Sequence, residues 1–124
     1  MDGLNALEQA VLDKLLAGDH PVLVALRAQA EKARVTRREY TGVGFFCDFD
    51  TSLGVSPLET RSDFHLGDVN ASLDGLKHGA GFILFVRKGR LATLEGYTYE
   101  EPWPQKIQNL ELTYQREPRQ LAFS

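Results

Sequence analysis

A chain of 124 residues, 43% hydrophobic and 25% charged, has apolar side chain for one sizeable core but is too short for two, so one soluble globular domain spanning residues 1–124 is expected. A net charge of −3 gives no whole-molecule attraction to polyanions, and no nucleic-acid partner is expected. The single cysteine, Cys47, excludes an intrachain disulfide and any paired-cysteine metal or redox motif, which fits a reducing cytoplasm.

No basic region followed by an apolar run opens the chain, and no apolar stretch approaches ~20 residues, so neither secretion nor membrane insertion is expected. Leu4, Leu7, Val11 and Leu15 recur at helical spacing, with Leu12 and Leu16 widening the stripe, which predicts a helix over 4–16. Asn5 followed by Glu8 has the spacing of a capping box, and Gly18 supplies a stop. His20 and Pro21 open a second amphipathic segment, because proline loses little where the first turn has no partner for its amide. Leu23, Leu26, Ala30 and Ala33 form its slim apolar face, and Arg27 with Glu31 makes an i,i+4 pair on the other side. The helical part is expected over about 4–34.

Lys32, Arg34, Arg37 and Arg38 concentrate positive charge where helix gives way to strand. They read either as an anion contact or, more simply, as a solvated helix end where cations meet the negative end of the backbone dipole. In "TGVGFFCDFD", Val43, Phe45, Cys47 and Phe49 alternate with Gly44, Phe46 and Asp48, which predicts a strand with Cys47 as a buried, inert thiol. The following "TSLGVSPLETRSD" reads as a long surface loop, in which Ser52, Ser56 and Ser62 carry no catalytic weight. Phe64 and Leu66 fit a short strand. Val69, Ala71 and Leu73 fit a continuation of that strand after Gly67, and Val69, Leu73 and Leu76 equally have the spacing of a short helix; of the two, an irregular or helical connection after residue 68 is expected. His65, Asp68 and His78 are zinc-ligand types without a coordination spacing, so no metal site and no cofactor is expected.

A β-hairpin is the clearest element: Phe82 to Val86, a Lys88–Gly89 turn, and a return from Leu91 to Tyr99. Regular pairing about that turn sets Arg87 against Arg90, Phe85 against Ala92, Ile83 against Leu94 and Phe82 against Glu95. Glu95 then shares a face with Leu91, Thr93, Tyr97 and Tyr99. A carboxylate there needs a partner if it is buried, with Arg38 or Lys106 as candidates; if the face is open it can hold a cation or, with a raised pKa, act as an acid or base. In "GYTYEEPWPQK", Pro102 and Pro104 hold Trp103 either as an anchor or as an exposed aromatic contact. Glu95, Tyr97, Tyr99, Glu100, Glu101 and Trp103 are therefore the candidate binding surface, suited to a basic protein partner. Leu110, Leu112 and Tyr114 mark a last strand, and residues 116–124 an exposed tail whose Leu121 and Phe123 can dock back.

These elements predict an α+β fold, two N-terminal helices packed on a largely antiparallel sheet of four or five strands, with the sheet over about 40–115. The chain lacks the sequence patterns of phosphate loops, dinucleotide sites, zinc proteases and nucleophile elbows. The succession "YTGVGFF", "GAGFILFVRKGRL" and "LEGYTYEEPWP" resembles small bacterial α+β proteins in which a short helical region precedes antiparallel strands, over roughly residues 35–115. That resemblance implies the fold and brings no catalytic residue with it. The expected role is a small protein-interaction module, of immunity or regulatory type, able to dimerise through an uncovered sheet edge. The alternative is a small-molecule-binding protein or enzyme with a pocket near Glu95, helped by Tyr97 or His65.

Overall fold

A computed structural model of the protein describes residues 3–52, 54–59 and 63–121. Among these residues two helices, α1 (Ala6–Leu15) and α2 (Pro21–Glu31), precede six strands: β1 (Arg34–Tyr40), β2 (Gly44–Asp50), β3 (Phe64–Ser72), β4 (Ala80–Arg87), β5 (Arg90–Thr98) and β6 (Glu111–Tyr114). The strands form one sheet in the order β1-β2-β5-β4-β3-β6, with every neighbouring pair antiparallel. The fold is α+β, with more strands than the four or five expected.

The capping box forms as the Asn5–Glu8 spacing predicts. The Asn5 side chain accepts from the Glu8 amide at 2.8 Å, and the Glu8 carboxylate accepts from the Asn5 amide at 2.9 Å. His20 caps α2, its Nδ1 accepting from the Val22 amide at 3.1 Å. Arg27 does not pair with Glu31. Its guanidinium turns back to the carbonyls of Leu16 and Gly18, where α1 has run out of amide donors.

Side chains of Val11, Leu12, Leu15, Leu23 and Leu26 join Phe45, Leu66, Val69, Phe82, Leu84 and Leu94 in one buried cluster. Burying each large apolar side chain contributes about 1.5–3 kcal/mol. α1 contacts β3 and α2 contacts β5. A fully buried amide locks α2 to the hairpin: Gln29 Nε2 donates to the Gly89 carbonyl at 2.9 Å, and its Oε1 accepts from the Leu91 amide at 2.9 Å.

Three expectations about the sheet are corrected. Of the basic segment only Lys32 stands at a helix end, as the C-cap of α2: Arg34, Arg37 and Arg38 belong to edge strand β1, and the sheet begins near residue 34. Residues 69–72 are strand, not helix, because a register shift between Leu66 and Val69 returns Val69 and Ala71 to the core and disturbs the two-residue period. In the hairpin Arg87 does face Arg90, but the register shifts between Phe85 and Val86. Phe85 then faces Thr93, Ile83 faces Glu95 and Phe82 faces Gly96, one residue away from regular pairing. Leu91 is consequently buried on the core side and does not share the face of Glu95. The tail is anchored through Arg119, which pairs with Asp68 at 2.7 Å and donates to the Leu15 and Ala17 carbonyls. Leu121 packs on the core, whereas Ser62 and Phe123 lie outside the described residues.

Candidate functional site

One row of the sheet's core side runs through Tyr40, Phe45, Gly96, Phe82, Val69 and Tyr114. Glycine at 96 leaves a hollow in that row, and the Phe45 ring fills it. A Cβ at this position would stand 2.3 Å from the ring. Trp103 then meets Phe45 edge-on, with ring centroids 5.3 Å apart, and Phe82 at 6.5 Å. Its amide donates to the Gly42 carbonyl at 2.8 Å, which ties the exit of β5 to the β1–β2 turn. Trp103 is thus an anchor, and the flanking prolines hold the extended path that brings it there.

Beside this anchor lies an open groove of about 730 Å³. Ala6, Leu7 and Glu8 of α1 form one wall, Tyr40, Gly42 and Phe45 the floor, and Trp103, Pro104, Ile107 and Leu110 the other wall. Its one ionised wall residue among the described residues, Glu8, is already satisfied. The carboxylate is 1% exposed and accepts from the Asn5 amide, from Arg38 Nε at 2.7 Å and from Arg38 Nη2 at 2.6 Å. That pairing raises the Arg38 pKa above its ordinary value. Arg38 is therefore not the partner of Glu95; it reaches α1 on the opposite side of the sheet.

The predicted surface divides in two. Phe46, Glu95 and Ile83 stand side by side on the outer side of the sheet, and Tyr97 lies in the next row with its ring across Gly81. Tyr99 meets Tyr97 edge-on at 5.7 Å. Glu95 makes no ion pair or hydrogen bond among the described residues, neither with Arg38 nor with Lys106, and desolvation raises its pKa. Burial, followed by the neighbouring Tyr99, raises that of Tyr97. Glu100 is exposed in the bend after β5. Glu101 accepts from the Lys77 and His78 amides, both at 2.9 Å, and these bonds hold its carboxyl below the usual range. It is a clasp on the β3–β4 connection.

The zinc-type residues do not converge. His65 is exposed beside Phe85, Asp68 is paired with Arg119, and the His78 backbone is held by Glu101. Among the described residues no group of three or more His, Cys, Asp or Glu side chains is placed to hold a metal. Burial pushes the Cys47 thiol up to about 12, which removes the thiolate a nucleophile needs. Tyr40 and Ile107 escaped sequence reasoning because each is a lone apolar residue in a polar stretch, and only the folded chain brings them to one groove. No protein family, curated protein or solved structure matches this chain. No helix among the described residues is long and apolar enough to cross a membrane.

Proposed function

We propose that this chain is a protein-interaction module whose groove receives an apolar segment of a partner protein. One observation carries this reading. Of the five exposed large hydrophobic residues among the described residues, Tyr40, Val43, Tyr99 and Ile107 gather at one end of the sheet, and Val24 alone of the five lies elsewhere. Tyr40 and Ile107 line the groove; Val43 follows Gly42 of its floor, and its carbonyl accepts from the Thr98 amide, next to Tyr99. An apolar surface continuing past the mouth of a groove suits a polypeptide, because a small ligand gains nothing from contacts outside its pocket. Glu100 on this exit offers an acid to a basic residue of the partner. In this reading residues 1–124 act as one domain, with the two helices covering the groove side of the sheet. The shared core cluster and the α1–β3 and α2–β5 contacts support that placement.

A second reading, a small apolar ligand, is favoured by the groove's volume alone, which falls within the ~300–1,000 Å³ of small-molecule sites. One experiment separates them. A displayed peptide library is selected on the protein and counter-selected on Ile107→Glu, and the survivors are titrated into ¹⁵N-labelled protein beside a set of apolar fragments. Peptides with two or more apolar side chains should shift the amides of Ala6, Gly42 and Ile107 and lose binding to Ile107→Glu. Fragments acting alone at those amides would establish the second reading. Peptides that bind the variant equally well would eliminate the first.

A further inference from the structure

We propose that two copies of this chain pair face to face through the outer side of the sheet, with Arg87 of each protomer meeting Glu95 of its partner. This surface is opposite the groove, so the inference stands independently of the proposed function.

The outer side carries Phe46, Ile83, Phe85 and Tyr97, all half-buried within the single chain. Among these rings and aliphatic groups lie two charges of opposite sign that find no ion pair among the described residues. Glu95 sits between Phe46 and Ile83, and the Arg87 guanidinium lies over the Phe85 ring at 5.2 Å. Within one chain they cannot meet. Ile83 stands opposite Glu95, and Arg87 follows four residues further along β4, about 13 Å at ~3.3 Å per residue.

A two-fold axis resolves that separation. The level midway between the two charges is that of Phe85 and Thr93, which face each other across β4 and β5. Rotation about an axis crossing the strands at this level carries Arg87 of one protomer to the level of Glu95 of the other. The remaining offset is one strand spacing, about 4.8 Å, within reach of an arginine side chain. Both cross-pairs form at once, because a closed two-fold contact is reciprocal. The Phe85 rings face each other near the axis.

Two other charges of this side, Arg37 and Asp48, have partners within the protomer. Arg37 is paired with Glu39 at 3.4 Å, and Asp48 accepts from the Thr93 hydroxyl at 2.9 Å. Arg37 and Asp48 are direct cross-strand neighbours at the level of the axis, so each meets its own image with the opposite charge one strand spacing away. Pairing along the β1 edge is disfavoured by comparison, since β1 presents exposed Arg34, Arg37 and Glu39, the charged decoration that keeps edges apart.

The test is sedimentation or light scattering across roughly micromolar to near-millimolar protein. The wild type should rise from monomer to dimer mass. Glu95→Arg alone and Arg87→Glu alone should each weaken association by about tenfold or more, because each sets like charges together twice. The decisive step is a one-to-one mixture of the two single variants. One copy then carries both bases and the other both acids, so a heterodimer should reappear; the variant with both exchanges in one chain should also regain self-association. Circular dichroism of each variant establishes that it is folded. A wild type that stays monomeric throughout, a dimer indifferent to either single exchange, or a mixture that does not reassociate would each overturn the proposal.

Discussion

Glu8 and Arg38 form a nearly buried ion pair joining the first turn of α1 to edge strand β1, with side chains 1% and 10% exposed. Removing one partner strands the other charge away from water, which costs about 3–5 kcal/mol, whereas a surface pair costs under ~1 kcal/mol. Glu8→Ala also leaves the Asn5 amide without its acceptor, adding about 0.5–1 kcal/mol, so it should exceed Arg38→Ala by that amount. Against a total stability of about 5–15 kcal/mol this is a large fraction. With a urea slope near ~1.5 kcal/mol per molar, either change should lower the unfolding midpoint by about 2–3 M. The double variant removes both charges and should lose less than the sum of the singles, with a coupling of about 2 kcal/mol. Urea unfolding followed by circular dichroism measures all four proteins. Single losses below ~1 kcal/mol, or strict additivity, would refute the claim that this pair is desolvated and coupled.

Gly96→Ala should cost about 1–3 kcal/mol and shift Trp103 emission, because the new methyl group displaces the Phe45 ring against which Trp103 packs; unchanged stability together with unchanged emission would contradict the packing described. Cys47 should resist a thiol reagent in native buffer at pH 8 and react promptly in denaturant, since a buried thiol with a pKa of about 12 supplies almost no thiolate; rapid native labelling would show it accessible. Desolvation raises the Glu95 pKa, so the folded monomer holds that proton more tightly than the unfolded chain. The resulting stabilisation is present below the ordinary carboxylate pKa and lost as pH rises through the raised value. Glu95→Gln should therefore be the more stable protein near neutral pH, with the advantage shrinking below about pH 4, in urea titrations at concentrations where the monomer prevails. An advantage that grows on acidification has the wrong sign for this environment.

Much of the local architecture was legible because it depends on neighbours in the chain. Asn5 and Glu8 are one helical turn apart, Pro21 suits only the start of a helix, and Lys88–Gly89 makes a tight turn between apolar strands. Alternation placed Phe45 and Cys47 on the core side correctly. Reading failed where a distant contact overrode the local pattern. β1 looks polar because its core-facing Arg38 is matched by a carboxylate from another element, and no strand period reveals that partner. In β3 and at Ala92, one extra residue reverses which face every later side chain occupies.

The candidate surface shows the same division. The sequence by itself determined that residues 95–103 would be an aromatic and acidic exit from a strand, since composition and the two prolines are local properties. Only the tertiary structure decided that Trp103 turns to the groove with Tyr40 and Ile107, that Glu101 clasps the β3–β4 connection, and that Glu95 and Tyr97 face the opposite side. Successive strand residues point to opposite faces, so a short segment is split between two surfaces, and the partners completing each surface come from segments far apart in the chain.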